Sequence, residues 1–119
     1  MKVNIFQGDI YTCNLTGAIG SEQSGERPVL VIQNNDGNKF SDTTIVIPIT
    51  SKKKKNLPTH YILKKEDYPF LKYQINTILF EQIRTVDKKR FKEYNGRLKN
   101  EDFEKIMLIN EKNFKNRLI

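Results

Sequence analysis

Tryptophan is absent from this chain, and cysteine and histidine occur once each, as Cys13 and His60. A single cysteine closes no intramolecular disulfide, which fits a reducing compartment. One Cys and one His cannot fill the four-ligand shell of a structural zinc site, and one His excludes a His–His acid–base pair. The carboxylates do not make up the shortfall, because Asp36, Asp42, Glu66 and Asp67 are scattered through turn-like or charged segments. No metal and no cofactor are therefore expected. Long apolar runs are missing too: residues 29–32 and 106–109 give four apiece, against the ~20 that span a bilayer. Residues 1–7 lack the apolar stretch of about 7–15 residues found in a signal peptide. The expectation is a cytoplasmic protein with no membrane segment. At 119 residues and 37% hydrophobic, it should form one domain over residues 1–119 with a modest core.

Positive charge is what the chain has in excess. The formal net charge is +7 and the pI about 9.5, so the protein attracts polyanions. Lys52, Lys53, Lys54 and Lys55 concentrate part of that charge in one loop. Such a run steers RNA without reading its sequence. It is equally compatible with DNA or a membrane surface, so charge names a partner class and no reaction.

Short runs rich in Val, Ile, Thr and aromatics recur at residues 9–15, 28–33, 43–49, 59–63, 75–80 and 82–86. Their spacing predicts a small antiparallel sheet or barrel. Cys13 alternates with Tyr11 and Leu15 in the first run and reads as strand packing. Residues 34–38, Asn-Asn-Asp-Gly-Asn, carry a turn signal. Asp87 suits the start of a short helical segment over residues 88–91. Asn100 suits a helix cap, and Phe103, Ile106, Met107 and Asn110 follow helical spacing, predicting a helix over residues 101–114. Strands followed by a helix make an α+β, mainly-β fold.

One segment joins a flexible loop to a strand. Gly20-Ser21-Glu22-Gln23-Ser24-Gly25-Glu26-Arg27-Pro28 runs straight into Val29-Leu30-Val31-Ile32-Gln33. The glycines free the loop, and Pro28 biases Arg27 toward extended backbone at the strand entrance. This wording closely resembles the first signature of the MazF/PemK toxins, small endoribonucleases of bacterial toxin–antitoxin modules. Gly8-Asp9-Ile10-Tyr11, residues 44–50, residues 57–60 and Glu81-Gln82-Ile83-Arg84-Thr85-Val86-Asp87 resemble the family's other motifs in order. The resemblance spans roughly residues 8–91, and several ordered motifs are far more specific than one. It implies a small partly open antiparallel β-barrel of the Src-homology-3-like type with a C-terminal helix, a homodimer, and a cognate antitoxin. It also implies Arg27 and Thr50 as the catalytic pair.

RNA cleavage without a His pair or a metal leaves the substrate's own 2′-hydroxyl as nucleophile, a group DNA lacks. The protein must then hold that oxygen in line and stabilise charge on the phosphoryl group. Arg27 fits as stabiliser and as a candidate acid, since a guanidinium donates forked hydrogen bonds and stays charged; Thr50 fits as a hydroxyl donor. The general base is left open. Ser21, Glu22 and Gln23 are candidates for contact beside the scissile bond, and Lys52 and Lys53 for steering the strand. Gln82 and Arg84 share a face if both lie in a strand; RNA contact and a Glu81–Arg84 ion pair are the two readings. His60 reads as a packing or interface residue. Tyr61, Tyr68, Phe70 and Tyr73 are core-packing or base-stacking groups. The loops at residues 51–56 and 68–74 depart from the family pattern, so no cleavage sequence follows from the resemblance. Two rivals stand beside the nuclease: a non-enzymatic poison of the same fold that grips gyrase, and a passive RNA-binding module.

Overall fold

The computed structural model describes residues 4–52 and 57–115. Lys53, one of the candidate RNA-steering lysines, and its neighbours Lys54 and Lys55 lie outside the described residues. Seven strands form one sheet: β1 Asp9–Asn14, β2 Glu26–Val31, β3 Thr43–Thr50, β4 His60–Lys64, β5 Ile75–Leu79, β6 Arg84–Asp87 and β7 Phe91–Arg97. Their order is β4-β5-β3-β2-β1-β7, with β6 on β3, and every pairing is antiparallel. The sheet does not close, since β4 and β7 end the order without pairing.

Strand alternation divides the buried residues between two faces. Leu30, Ile47, Ile49, Leu63 and Ile78 join Phe80 and Ile106 in one cluster, while Tyr11, Cys13, Val29, Val31, Val46, Val86 and Phe91 form a second. Both faces of β2 are thus covered, which is why Val29-Leu30-Val31-Ile32 reads as a continuous apolar run. Helix α2, Asn100–Phe114, buries Ile106 completely against the first cluster. Asp102 in its first turn accepts hydrogen bonds from Tyr61 Oη at 2.7 Å and from Tyr68 Oη. Burial pushes that carboxyl's pKa up, but the two tyrosine hydrogen bonds prevail and the net shift is downward.

Several local expectations need correction. The turn at residues 34–38 is the start of a short helix α1, Asn35–Phe40, because Asn34 Oδ1 accepts from Gly37 N at 2.9 Å and caps it. Asp87 does cap a single 3₁₀ turn, Lys88–Arg90, but Phe91 already opens β7, a strand not anticipated. Its Lys-Glu-Tyr-Asn-Gly stretch lacks the β-rich composition of the others, and Gly96 sits where a Cβ would collide with the Phe70 ring. The cap position of α2 is Lys99 rather than Asn100, with no side-chain cap. Among the described residues, no helix is long and apolar enough to cross a membrane.

Candidate functional site

Residues paired across an antiparallel sheet share a face. Cys13 on β1 stands opposite Arg27 on β2, and Thr50 on β3 stands opposite Thr77 on β5. The β2–β3 ladder runs from Val31↔Val46 to Val29↔Pro48; Pro28 has no N–H with which to extend it. The ladder ends there, and Arg27 and Thr50, each two residues beyond its last pair, lie on the same side as Val29 and Pro48. The pairs Cys13–Arg27 and Thr50–Thr77 therefore both lie on the face of the second buried cluster. Arg84 joins that face from β6, where it lies opposite Val46.

The loop between β1 and β2 is tied down at several points. Arg27 Nε donates to Ser24 O at 2.6 Å, and Glu22 Oε1 accepts from Ile19 N at 2.5 Å. Gln82 Oε1 accepts from Gln23 N at 3.2 Å, while its Nε2 donates to Ser21 O at 3.4 Å. Leu15 N donates to Gly25 O at 2.9 Å, closing the loop's base. Gly25, at φ 77°, makes the left-handed turn into β2 that a side chain would resist. Arg90, which sequence reasoning passed over, donates from Nη1 to Asn14 O and Thr16 O at 3.0 and 2.9 Å, bracing the loop's first residues. The cue for it was the basic run directly after the Asp87 cap.

Gln82 lies in a 3₁₀ turn, Phe80–Gln82, and not in a strand, so the shared face expected with Arg84 does not arise. Its turn is held by Asn113 of α2, whose Nδ2 donates to Phe80 O at 2.9 Å. Glu81 hydrogen-bonds His60, Nε2 to Oε2 at 2.8 Å, so among the described residues its partner is His60 and not Arg84, the partner in one of the two readings. Ser21, Glu22 and Lys52 are exposed, whereas Gln23 is buried and its Oε1 has no hydrogen-bond partner among the described residues. Thr50 is 1% exposed and accepts from Lys52 N at 3.2 Å through Oγ1. Tyr68 is buried, Tyr61 is tied to Asp102, and Tyr73 is left exposed. Burial raises the Cys13 thiol to about 11, against the opposing positive charges of Arg90 and Arg84. That thiol stays neutral beside the guanidiniums. Among the described residues, no group of three or more His, Cys, Asp or Glu is arranged to hold a metal ion.

This geometry sets a guanidinium and a hydroxyl on neighbouring strands, below a loop of backbone donors and polar side chains. Residues 6–109 match the model of the PemK-like, MazF-like toxins of type II toxin-antitoxin systems. The chain belongs to this family. Among solved structures, MazF (Form-I) from Deinococcus radiodurans is similar at 21% identity, with a TM-score of 0.77 over 92% of this chain and 96% of that one. An endoribonuclease in complex with its cognate antitoxin, from a mycobacterial species, is similar at 19% identity and TM-score 0.74, over 95% and 99% of the two chains. A mycobacterial endoribonuclease on its own gives 18% identity and TM-score 0.73, over 92% and 90%. At these identities the likeness carries the fold: the toxin has the family's partly open, mainly antiparallel sheet with a C-terminal helix.

Proposed function

We propose that this toxin is a metal-independent, sequence-specific endoribonuclease that cleaves single-stranded RNA, chiefly messenger RNA, in the cytoplasm. The observation that carries the proposal is the antiparallel β2–β3 pairing, whose last pair, Val29↔Pro48, leaves Arg27 and Thr50, 23 residues apart in sequence, each two residues beyond it on the same side of the sheet. A 2′-hydroxyl attacks the adjacent phosphorus, the 5′-oxygen leaves with a proton, and the products are a 2′,3′-cyclic phosphate and a 5′-hydroxyl. Arg27 Nε is already committed to Ser24 O, while among the described residues its Nη groups carry no hydrogen bond. Those groups stabilise the charge that grows on the phosphoryl oxygens. Thr50 Oγ1 accepts from backbone, so its proton is available to donate to the same group. Since Thr50 is buried, the site must open locally before RNA meets that hydroxyl.

Ser21, Glu22 and Gln23 flank the bound strand from the loop, Gln82 holds that loop, and Arg84, Lys52 and Lys53 add positive field. The working unit is a homodimer, and a cognate antitoxin neutralises it, as antitoxin complexes of the similar mycobacterial endoribonuclease suggest. The test is incubation of a long single-stranded transcript with the protein in excess EDTA. Cleavage to cyclic-phosphate ends is expected, with an all-deoxy strand left intact. Intact RNA, cut DNA, or inhibition of gyrase supercoiling by a preparation without nuclease activity would overturn the reading. A sedimentation mass of one 14.0 kDa chain would contradict the dimer.

A further inference from the structure

Residues three and four apart on a helix share one stripe of its surface. On α2 the outer stripe consists of Glu101, Glu104, Lys105, Leu108, Glu111 and Lys112, continued by Lys115 just past the helix end, and every one of them is exposed. The opposite side carries buried Ile106 and the hydrogen bonds of Asp102 and Asn113 to the body of the protein. Leu108 stands at the centre of the stripe and is 61% exposed. Three acids and three bases surround it, so this surface has no net charge on a chain that carries +7. Neither RNA nor an acidic segment is drawn to it.

The order of the charges fits a different partner. Counted from Leu108, Lys105 and Glu111 lie three residues away on either side, Glu104 and Lys112 four, and Glu101 and Lys115 seven. Each acid thus has a base at the same distance on the other side of Leu108. Two copies of the helix laid antiparallel across a twofold axis at Leu108 set every acid against a base, whereas a parallel pair would oppose like charges and like dipole ends. We propose that the outer face of α2 is where a second copy of this chain docks, antiparallel, with Leu108 against Leu108 on the axis. Lys115 Nζ already donates to Glu111 Oε1 at 2.5 Å, so across the axis Glu111 meets Lys105 and Lys115 meets Glu101 in one alternating network. Exposed ion pairs add little affinity, and here they fix register and orientation. Affinity comes from burying Leu108 and its neighbours Phe114, 67% exposed, and half-buried Met107. A twofold contact uses the same patch on both copies and stops at two chains. The inference rests on the homodimer proposed above and gives it a surface; it does not depend on RNA cleavage.

The experiment is sedimentation equilibrium of the full chain at micromolar concentrations and low salt. Wild type is expected as a dimer, and Leu108→Asp, which sets two carboxylates together on the axis, at the mass of one 14.0 kDa chain. Glu104→Lys and Lys112→Glu each oppose like charges at two places per dimer and should each raise the dissociation constant about tenfold. Mixed in equal amounts, these two variants complement each other at both places and should associate with near wild-type affinity, a recovery that unfolded chains could not give. Wild-type dimerisation by Leu108→Asp, unchanged self-association of both charge variants, or a mixture no tighter than its parts would each overturn the α2 face while leaving the dimer in place. Wild type sedimenting as one chain would instead overturn the homodimer reading, and this inference with it.

Discussion

Arg27 contributes through the geometry of its planar fork as well as its charge. Its Nε anchor to Ser24 O fixes the plane of the guanidinium, and a lysine there would keep the charge but lose both the anchor and the fork. Arg27→Lys should therefore lower kcat/KM on single-stranded RNA by about 10²–10³, the loss typical of one preorganised donor, with an unchanged urea midpoint. A lysine variant within threefold of wild type would mean that charge alone suffices. Cys13, its partner across β1–β2, offers a stability test. Burial raises its pKa to about 11 from an ordinary value of 9.0. The folded state therefore holds the proton more tightly, and the associated stability is complete below pH 9 and is lost as pH rises toward 11. Wild type should exceed Cys13→Ala in stability at pH 8, and the gap should shrink by on the order of 2–3 kcal/mol by pH 11. Urea titrations of both proteins at the two pH values measure it; a constant gap would contradict the buried neutral thiol.

Helix α2 reaches the site only through other elements. Asp102 clamps its first turn to Tyr61 of β4 and to Tyr68, while Asn113 near its end holds the 3₁₀ turn whose Gln82 secures the loop before β2. Hydrogen bonds to a carboxylate are worth about 1.5–3 kcal/mol each, so Asp102→Ala, which strands two tyrosine hydroxyls, should cost about 2–4 kcal/mol in urea unfolding. The pKa of Asp102 is lowered on folding. Its stabilisation is therefore present above the ordinary value of 3.8 and disappears as pH falls through the lower folded value, giving wild type the steeper acid loss. The helix and six of the strands were legible in the sequence because periodicity and β-branched runs mark them. Strand β7 was not, since its burial comes from β1 and the Phe70 ring rather than from its own composition. The same holds at the site. Arg27 and Thr50 were visible as motif residues, whereas their place on one side of the sheet just beyond the β2–β3 ladder and the clamp by Gln82 depend on tertiary pairing, which no local pattern specifies.

For the whole molecule, +7 of charge on 119 residues makes association with any polyanion fast and salt-sensitive. The proposed antitoxin must compete with RNA for that field, and an acidic, extended segment that folds on binding is its natural complement. Such a segment would lie over the Ser21, Glu22 and Gln23 loop and beside Lys52, covering Arg27. Charge alone would leave it too weak at physiological salt, where exposed pairs beyond about 8 Å are screened. Its affinity must also draw on apolar anchors, and exposed Ile62, Ile75 and Tyr73 give the toxin surface on which to seat them. Raising salt from 0.05 to 0.5 M should therefore weaken RNA far more than antitoxin, since each neutralised phosphate contributes about 0.7 to the log–log slope for a single strand. Competition titrations with a labelled 2′-O-methyl RNA across that range should show the antitoxin displacing RNA at every salt concentration, with a preference that grows as salt rises. A ternary complex of toxin, RNA and antitoxin, or a preference that falls with salt, would rule out a shared groove.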